Sequence, residues 1–190
     1  MRNYKKIIFL LESWEIKSQG IDYLELRCVD LNPYDPIGIT EDQINFLDTL
    51  LIYCFVSDSP LISLEESLRL QRNHGKIVND GRDELTLLET VEGSVPVKEE
   101  AHRILSELEI IAEFMDVEVH KDQDLSWLQS VSKQKENLIS ANGTLSAQII
   151  EDLQENNLSF RELGNKMSKT HLETITSATS ELDKLFLEAS

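Results

Sequence analysis

Glu25 and Arg27 stand two residues apart in the stretch Asp22 to Val29, DYLELRCV, where apolar and polar side chains largely alternate. Alternation marks a strand, which sends successive side chains to opposite faces. Tyr23, Glu25, Arg27 and Val29 then share one face, and Leu24, Leu26 and Cys28 share the other. One face is core, and the other presents a carboxylate beside a guanidinium. After Asp30 the run Asn32-Pro33-Tyr34-Asp35-Pro36-Ile37-Gly38 is rich in turn formers and cannot continue a ladder. Asp30 and Asn32 are suited to fix that turn through local side-chain-to-backbone bonds, and Tyr34 is expected in the core. A strand that ends in a charged pair and a rigid turn is a common way to build a site. On residue types alone, however, such a pair is most often a solvated surface ion pair worth little.

Asn73, His74 and Arg82 form a second polar group, for which a helix-end or loop salt bridge is the expected role of Arg82. His74, His102, His120 and His171 show neither H-E-x-x-H nor H-x₃₋₅-H spacing, which argues against zinc. No P-loop, G-x-S-x-G or G-x-G-x-x-G occurs. Cys28 and Cys54 lie in apolar runs without C-x-x-C spacing and read as buried reduced thiols.

The elements that must position these residues are mostly helical. Tyr4 to Trp14 has strand character. Thr40 with Gln43 makes a capping box, predicting a helix to about Ser57 whose second half is apolar nearly all round. Ser63 with Glu66 makes another, for a helix to about Val78, followed by a loop at Asn79 to Asp83. Leu85 to Leu88 reads as a short extended piece broken by Glu92-Gly93-Ser94. Pro96 begins a long helix to about Phe114, with Ile104, Leu105, Leu108, Ile111, Ala112 and Met115 on one face. A more polar helix spans Lys121 to Leu138, Thr144 caps one to about Glu155, and Ser159 with Glu162 starts the last. That helix should fray over the Ser/Thr-rich Thr174 to Ser180. One or two strands cannot form an independently stable sheet, so the Glu25 strand needs partners from other sequence.

The 190 residues suit one domain or a piece of a larger one, and 41% apolar residues suffice for a core. A net charge of −17 disfavours nucleic acid and anionic membrane as partners, since phosphates would be repelled. The apolar run Ile7 to Leu11 after Lys5-Lys6 is too short for a signal peptide, and no run approaches a membrane span. A soluble, cytoplasmic protein is expected.

The motif Tyr23-Leu24-Glu25-Leu26-Arg27, Asp30-Leu31-Asn32-Pro33-Tyr34, Pro36-Ile37-Gly38, continuing through Glu41-Asp42-Gln43 and Phe46-Leu47-Asp48, resembles the bacterial glutamate–cysteine ligases. Weaker similarity runs to about Ser168 through Asn73, Gly81-Arg82 and Leu145-Ser146-Ala147, whereas Asp83-Glu84 departs from the family's continuation. The resemblance covers the carboxy-terminal part of such an enzyme, residues 20–190, with residues 1–19 not matching. It implies an α+β fold, a mostly helical fragment with one or two strands belonging to a larger antiparallel sheet of the glutamine-synthetase-like type. It also implies ATP-dependent formation of γ-glutamylcysteine from glutamate and cysteine through an acyl phosphate, the first step of glutathione synthesis.

In that chemistry charge around the phosphates must be neutralised, by carboxylates holding Mg²⁺ (or Mn²⁺) and by an arginine. By resemblance, Glu25 is the metal ligand and Arg27 the catalytic arginine on the ATP phosphates. The other metal ligands and the residues for both amino acids would come from sequence outside this chain, so the chain alone is expected to be inactive, with a separate amino-terminal half as a candidate partner. The competing expectations are a non-catalytic helical interaction module and a decayed fragment of the enzyme.

Overall fold

Thr40 and Gln43 satisfy each other across the first turn of a helix. The Gln43 Oε1 accepts from the Thr40 backbone N–H at 2.9 Å, and the Thr40 Oγ1 accepts from the Gln43 N–H at 3.2 Å. This reciprocal box fills two of the donors that every helix start leaves open. In a computed structural model, which describes residues 24–26, 29–58, 60–118, 126–140 and 142–188 and side chains as far as 179, it starts α1, Glu41–Val56. The remaining elements are α2 (Leu64–Asp80), β1 (Leu87–Glu89), β2 (Ser94–Pro96), α3 (Val97–Glu118), α4 (Trp127–Ile139), α5 (Leu145–Glu155) and α6 (Phe160–Glu188).

Local capping decides most of these boundaries. Ser63 Oγ accepts from the Glu66 N–H at 3.1 Å, and Thr144 Oγ1 from the Ala147 N–H at 3.3 Å. Ser159 and Glu162 form a full box, with Ser159 N–H donating to Glu162 Oε2 at 2.8 Å and Glu162 N–H donating to Ser159 Oγ at 3.3 Å. At α4 the cap comes partly from another helix: Asp116 of α3 accepts from the Trp127 N–H at 2.8 Å, the Leu128 N–H at 3.1 Å and the Ser126 hydroxyl at 2.7 Å.

The chain divides into two units, residues 1–29 with 46–135, and residues 30–45 with 136–190. In the first, the buried face of α3 carries Leu105, Leu108, Ala112 and Met115, four of the six residues of its expected apolar face. Thr49, Tyr53, Trp127, Ser130 and Val131 are also buried there. Tyr53 keeps its hydroxyl satisfied by donating to Glu107 Oε2 at 2.5 Å, and Arg103 bridges Glu100 and Glu107 at 2.6 and 2.7 Å. The second unit buries Asn32, Asn45, Ala147 and Leu163.

Three expectations are corrected. Leu24 to Leu26 and Val29 carry no strand, because a ladder needs a partner strand and the described residues offer that segment none. The strands form instead a two-stranded antiparallel hairpin, Leu87 opposite Pro96 and Glu89 opposite Ser94, with Glu92-Gly93 at its turn and Gly93 at φ 142°. Glu92-Gly93-Ser94 thus reverses the chain rather than ending an isolated piece. Thr174 to Ser180 does not fray but stays within α6. Its hydroxyls bond back along the helix, Thr174 to the Thr170 carbonyl at 3.0 Å, Thr176 to Leu172 at 2.7 Å and Thr179 to Ile175 at 2.9 Å, so they do not compete with the helical ladder. The strand expected at Tyr4 to Trp14 lies outside the described residues.

Candidate functional site

Glu25 lies exposed in Leu24 to Leu26, and Arg27, expected beside it, lies outside the described residues, as does Cys28. Val29 and Asp30 are also exposed. The polar segment leads in sequence into the turn at Asn32, which is ordered by its own side chains as expected. The Asn32 Oδ1 accepts from the Tyr34 N–H at 3.0 Å, and the Asp35 Oδ1 accepts from the Ile37 N–H at 2.9 Å. Asp35, not Asp30, is therefore the acidic residue that shapes the turn. The Asn32 backbone N–H donates to the Gly38 carbonyl at 2.7 Å, closing the loop on itself. Gly38 sits at φ +85°, and a Cβ there would fall 2.9 Å from Leu31 Cδ2, so both conformation and space favour glycine.

Three contacts hold this turn within its unit. The buried Asn32 donates through Nδ2 to Gln43 Oε1 at 3.1 Å, joining the turn to the cap of α1. The Tyr34 hydroxyl donates to Asp152 Oδ2 of α5 at 2.7 Å. His171 Nε2 of α6 lies 2.7 Å from the Pro33 carbonyl oxygen, which can only accept, so the ring donates. Burial and the Asp152 carboxylate together push the Tyr34 hydroxyl up to about 12. Tyr34 is therefore partly buried and tied to a carboxylate, not a plain core residue. Asp152 and His171 had no signal in the sequence beyond residue type, since their partners lie 118 and 138 positions away.

In the second polar group Asn73 has a structural role. Asn73 of α2 is buried and clamps the backbone of Glu89. Glu89 in turn meets Arg72 at 2.7 Å and Lys76 at 3.1 Å, and these cations pull its carboxyl down to about 2. His74 and Arg82 are exposed. Cys54 is a free thiol, half-buried rather than buried as expected, and desolvation pushes it up. Among the described residues no group of three or more His, Cys, Asp and Glu side chains could hold a metal ion. One carboxylate such as Glu25 does not make a divalent-cation site, which takes several oxygen ligands. No step of a reaction is therefore derived through a metal.

The glutamate–cysteine ligase family profile matches residues 11–77, a stretch that begins ahead of Gly20 and includes Glu25, Arg27, the turn and most of α2. The glutamate–cysteine ligase of Saccharophagus degradans is 33% identical over 161 residues, covering 84% of this chain and 30% of that enzyme. That of Hahella chejuensis is 39% identical over 105 residues, 53% of this chain and 20% of the enzyme. A crystal structure of the Francisella tularensis glutamate–cysteine ligase in complex with AMP aligns with a TM-score of 0.70 over 84% of this chain and 30% of that one, at 22% identity, a likeness of fold. The chain shares its fold with about 30% of that crystal-structure chain. It is a partial relative of the glutamate–cysteine ligases, spanning about 30% of the length of the curated relatives it matches. No helix among the described residues is long and apolar enough to cross a membrane.

Proposed function

We propose that this chain supplies the carboxy-terminal region of a glutamate–cysteine ligase, the enzyme that joins glutamate and cysteine at the expense of ATP. The observation that carries the reading is the run from Tyr23 to Asp48, in which the charged pair, the Asn32 turn and the cap of α1 follow one another as in that family, backed by 33% identity over 84% of the chain. The glutamate γ-carboxylate attacks the γ-phosphorus of ATP, releasing ADP, and the cysteine amine then displaces phosphate from the acyl phosphate. Such transfers are catalysed mainly by positioning and by stabilising charge on the phosphoryl oxygens. Arg27 is assigned to those oxygens, where a planar fork of donors matches phosphate. Glu25 is assigned as one carboxylate ligand of a Mg²⁺ (or Mn²⁺) site whose other ligands come from sequence outside this chain. The AMP bound by the Francisella tularensis enzyme supports a nucleotide as the co-substrate.

Because so much of the machinery lies elsewhere, the chain alone is inactive and works together with the amino-terminal region, whether on one polypeptide or as a second chain. The test is to assay γ-glutamylcysteine formation by the purified chain, by the amino-terminal region of the Saccharophagus degradans enzyme, and by the two together. Product from the mixture alone is expected. Product from the chain alone would overturn the incompleteness, and a mixture no more active than its parts would overturn the ligase role.

A further inference from the structure

Helix α1 is apolar on more sides than this chain covers. Thr49 and Tyr53 are buried, but Ile52, Phe55 and Val56, at the i, i+3, i+4 spacing of a stripe, are exposed, Phe55 to 87%. The exposure continues through Leu61, fully open at 100%, to Leu64 and Leu68, one turn apart at the start of α2. A helix that is apolar nearly all round is one that is buried on every side. Here one side of its second half is left in water. Charge is missing as well: Asp58 is the only charged residue from Thr49 to Leu64, in a chain that is 28% charged. Large apolar side chains, an aromatic among them, with hardly a charge between them have the composition of an interface core rather than of a solvated surface.

The relatives indicate what covers this face. The glutamate–cysteine ligase profile matches residues 11–77 and so includes all of it. Those enzymes extend far beyond the matching part: this chain spans 30% of the Saccharophagus degradans ligase and 30% of the Francisella tularensis crystal chain whose fold it shares. The rest of each enzyme belongs to the same polypeptide as the shared part, so a body of protein larger than this chain is tied to it and needs a surface to pack on. Phe55 to Leu64 is a stretch that such a neighbour can bury while desolvating a single carboxylate, Asp58. A second copy of the chain is the poorer occupant, since two surfaces of charge −17 repel.

We propose that the face formed by Phe55, Val56, Leu61 and Leu64 is the surface on which the amino-terminal region of the ligase docks. The inference rests on the ligase reading and adds to it where the two parts meet. One pair of substitutions, Phe55→Gln with Leu61→Gln, tests it in two settings. The first is the full chain by itself, and the second is a chimera in which the 161 matching residues of the Saccharophagus degradans enzyme are exchanged for those of this chain. Both side chains are exposed, so the free chain should melt at the same temperature with the pair as without it. In the chimera the pair is expected to lower the melting temperature by several degrees. A benzophenone-bearing phenylalanine analogue at Phe55 of the chimera should, on irradiation, form adducts with residues outside the exchanged stretch. A chimera that makes γ-glutamylcysteine but melts alike with and without the pair, or whose adducts stay within the exchanged stretch, would overturn the docking face and leave the ligase reading intact. A chimera that makes no product but shows the shift and the adducts would overturn the ligase reading and leave the face standing. A chimera without a cooperative melt would overturn both. An equal fall in the free chain, or a free chain that sediments as a dimer until the pair is introduced, would also overturn the proposal, giving the face to the chain's own fold or to a second copy.

Discussion

Asn73 and Glu89 are joined by a pair of hydrogen bonds, each 2.8 Å: Asn73 Nδ2 donates to the Glu89 carbonyl, and Asn73 Oδ1 accepts from the Glu89 N–H. The side-chain amide thus does for β1 what a neighbouring strand would do. In an antiparallel ladder the N–H and C=O of one residue point to the same side. Those of Glu89 therefore face away from β2 and would be open without Asn73. Lys76 similarly reaches the Leu87 carbonyl at 3.0 Å. A two-stranded hairpin is marginal by itself, and α2 stabilises this one by occupying its free edge.

Asn73→Ala removes both partners of a partly buried backbone group, and the expected loss is about 1–3 kcal/mol. Asn73→Gln should not restore it, because the longer side chain moves the amide off the Glu89 backbone. Urea denaturation followed by circular dichroism reads the loss, and an unchanged midpoint for Asn73→Ala would show that the clamp contributes nothing.

The carboxylate of the same residue makes the hairpin sensitive to acid. Arg72 and Lys76 hold the Glu89 carboxyl at about 2 in the folded chain, against an ordinary 4.5. The folded state thus favours the ionised form, so this contribution is complete above 4.5 and is lost as pH falls toward 2. Thermal melts at about pH 6 and about pH 3 should show a larger loss for the native chain than for Glu89→Gln. Equal losses would mean that the ion pairs are fully screened by solvent.

Tyr34 and Asp152 give the opposite sign at the alkaline end. The Tyr34 hydroxyl is raised from 10.0 to about 12, so its bond is intact below 10 and is lost as pH rises from 10 to 12. Ultraviolet titration of phenolate should show Tyr34 and Tyr53 titrating late, both pushed up to about 12, and Tyr34→Phe should remove one equivalent of that late step. Asp152→Asn should bring it earlier, since the neighbouring negative charge is gone. Tyr34→Phe is also expected to cost about 1.5–3 kcal/mol, as a hydrogen bond to a charged acceptor does.

On the proposed assignment, Glu25→Gln in the complemented enzyme removes a charged metal ligand at nearly constant volume, and Arg27→Lys replaces a planar fork with a point charge. Each is expected to lower kcat by about 10²–10³. Cys54→Ser should leave the metal dependence of the reaction unchanged. Near-normal turnover in Glu25→Gln and Arg27→Ala would reduce the pair to a surface ion pair.

What the sequence by itself determined is what short range controls. The helix starts at Thr40, Ser63, Thr144 and Ser159 are each set by a hydroxyl and a group three residues on, and all four stand where those residues predict. The buried face of α3 follows likewise from a 3.6-residue period. The Asn32 turn follows from bonds that span two residues. The tertiary structure decided the rest. Whether an alternating segment becomes a strand depends on a partner for its ladder, so Leu24 to Leu26 forms no strand while Leu87 to Glu89 finds both Ser94 to Pro96 and Asn73. Tyr34 meets Asp152 and Pro33 meets His171 across more than a hundred residues, and no local pattern encodes such a meeting. Even in Thr174 to Ser180, whose composition disfavours a helix, the hydroxyls of Thr174, Thr176 and Thr179 bond back to carbonyls one turn earlier, a choice that only the formed helix offers.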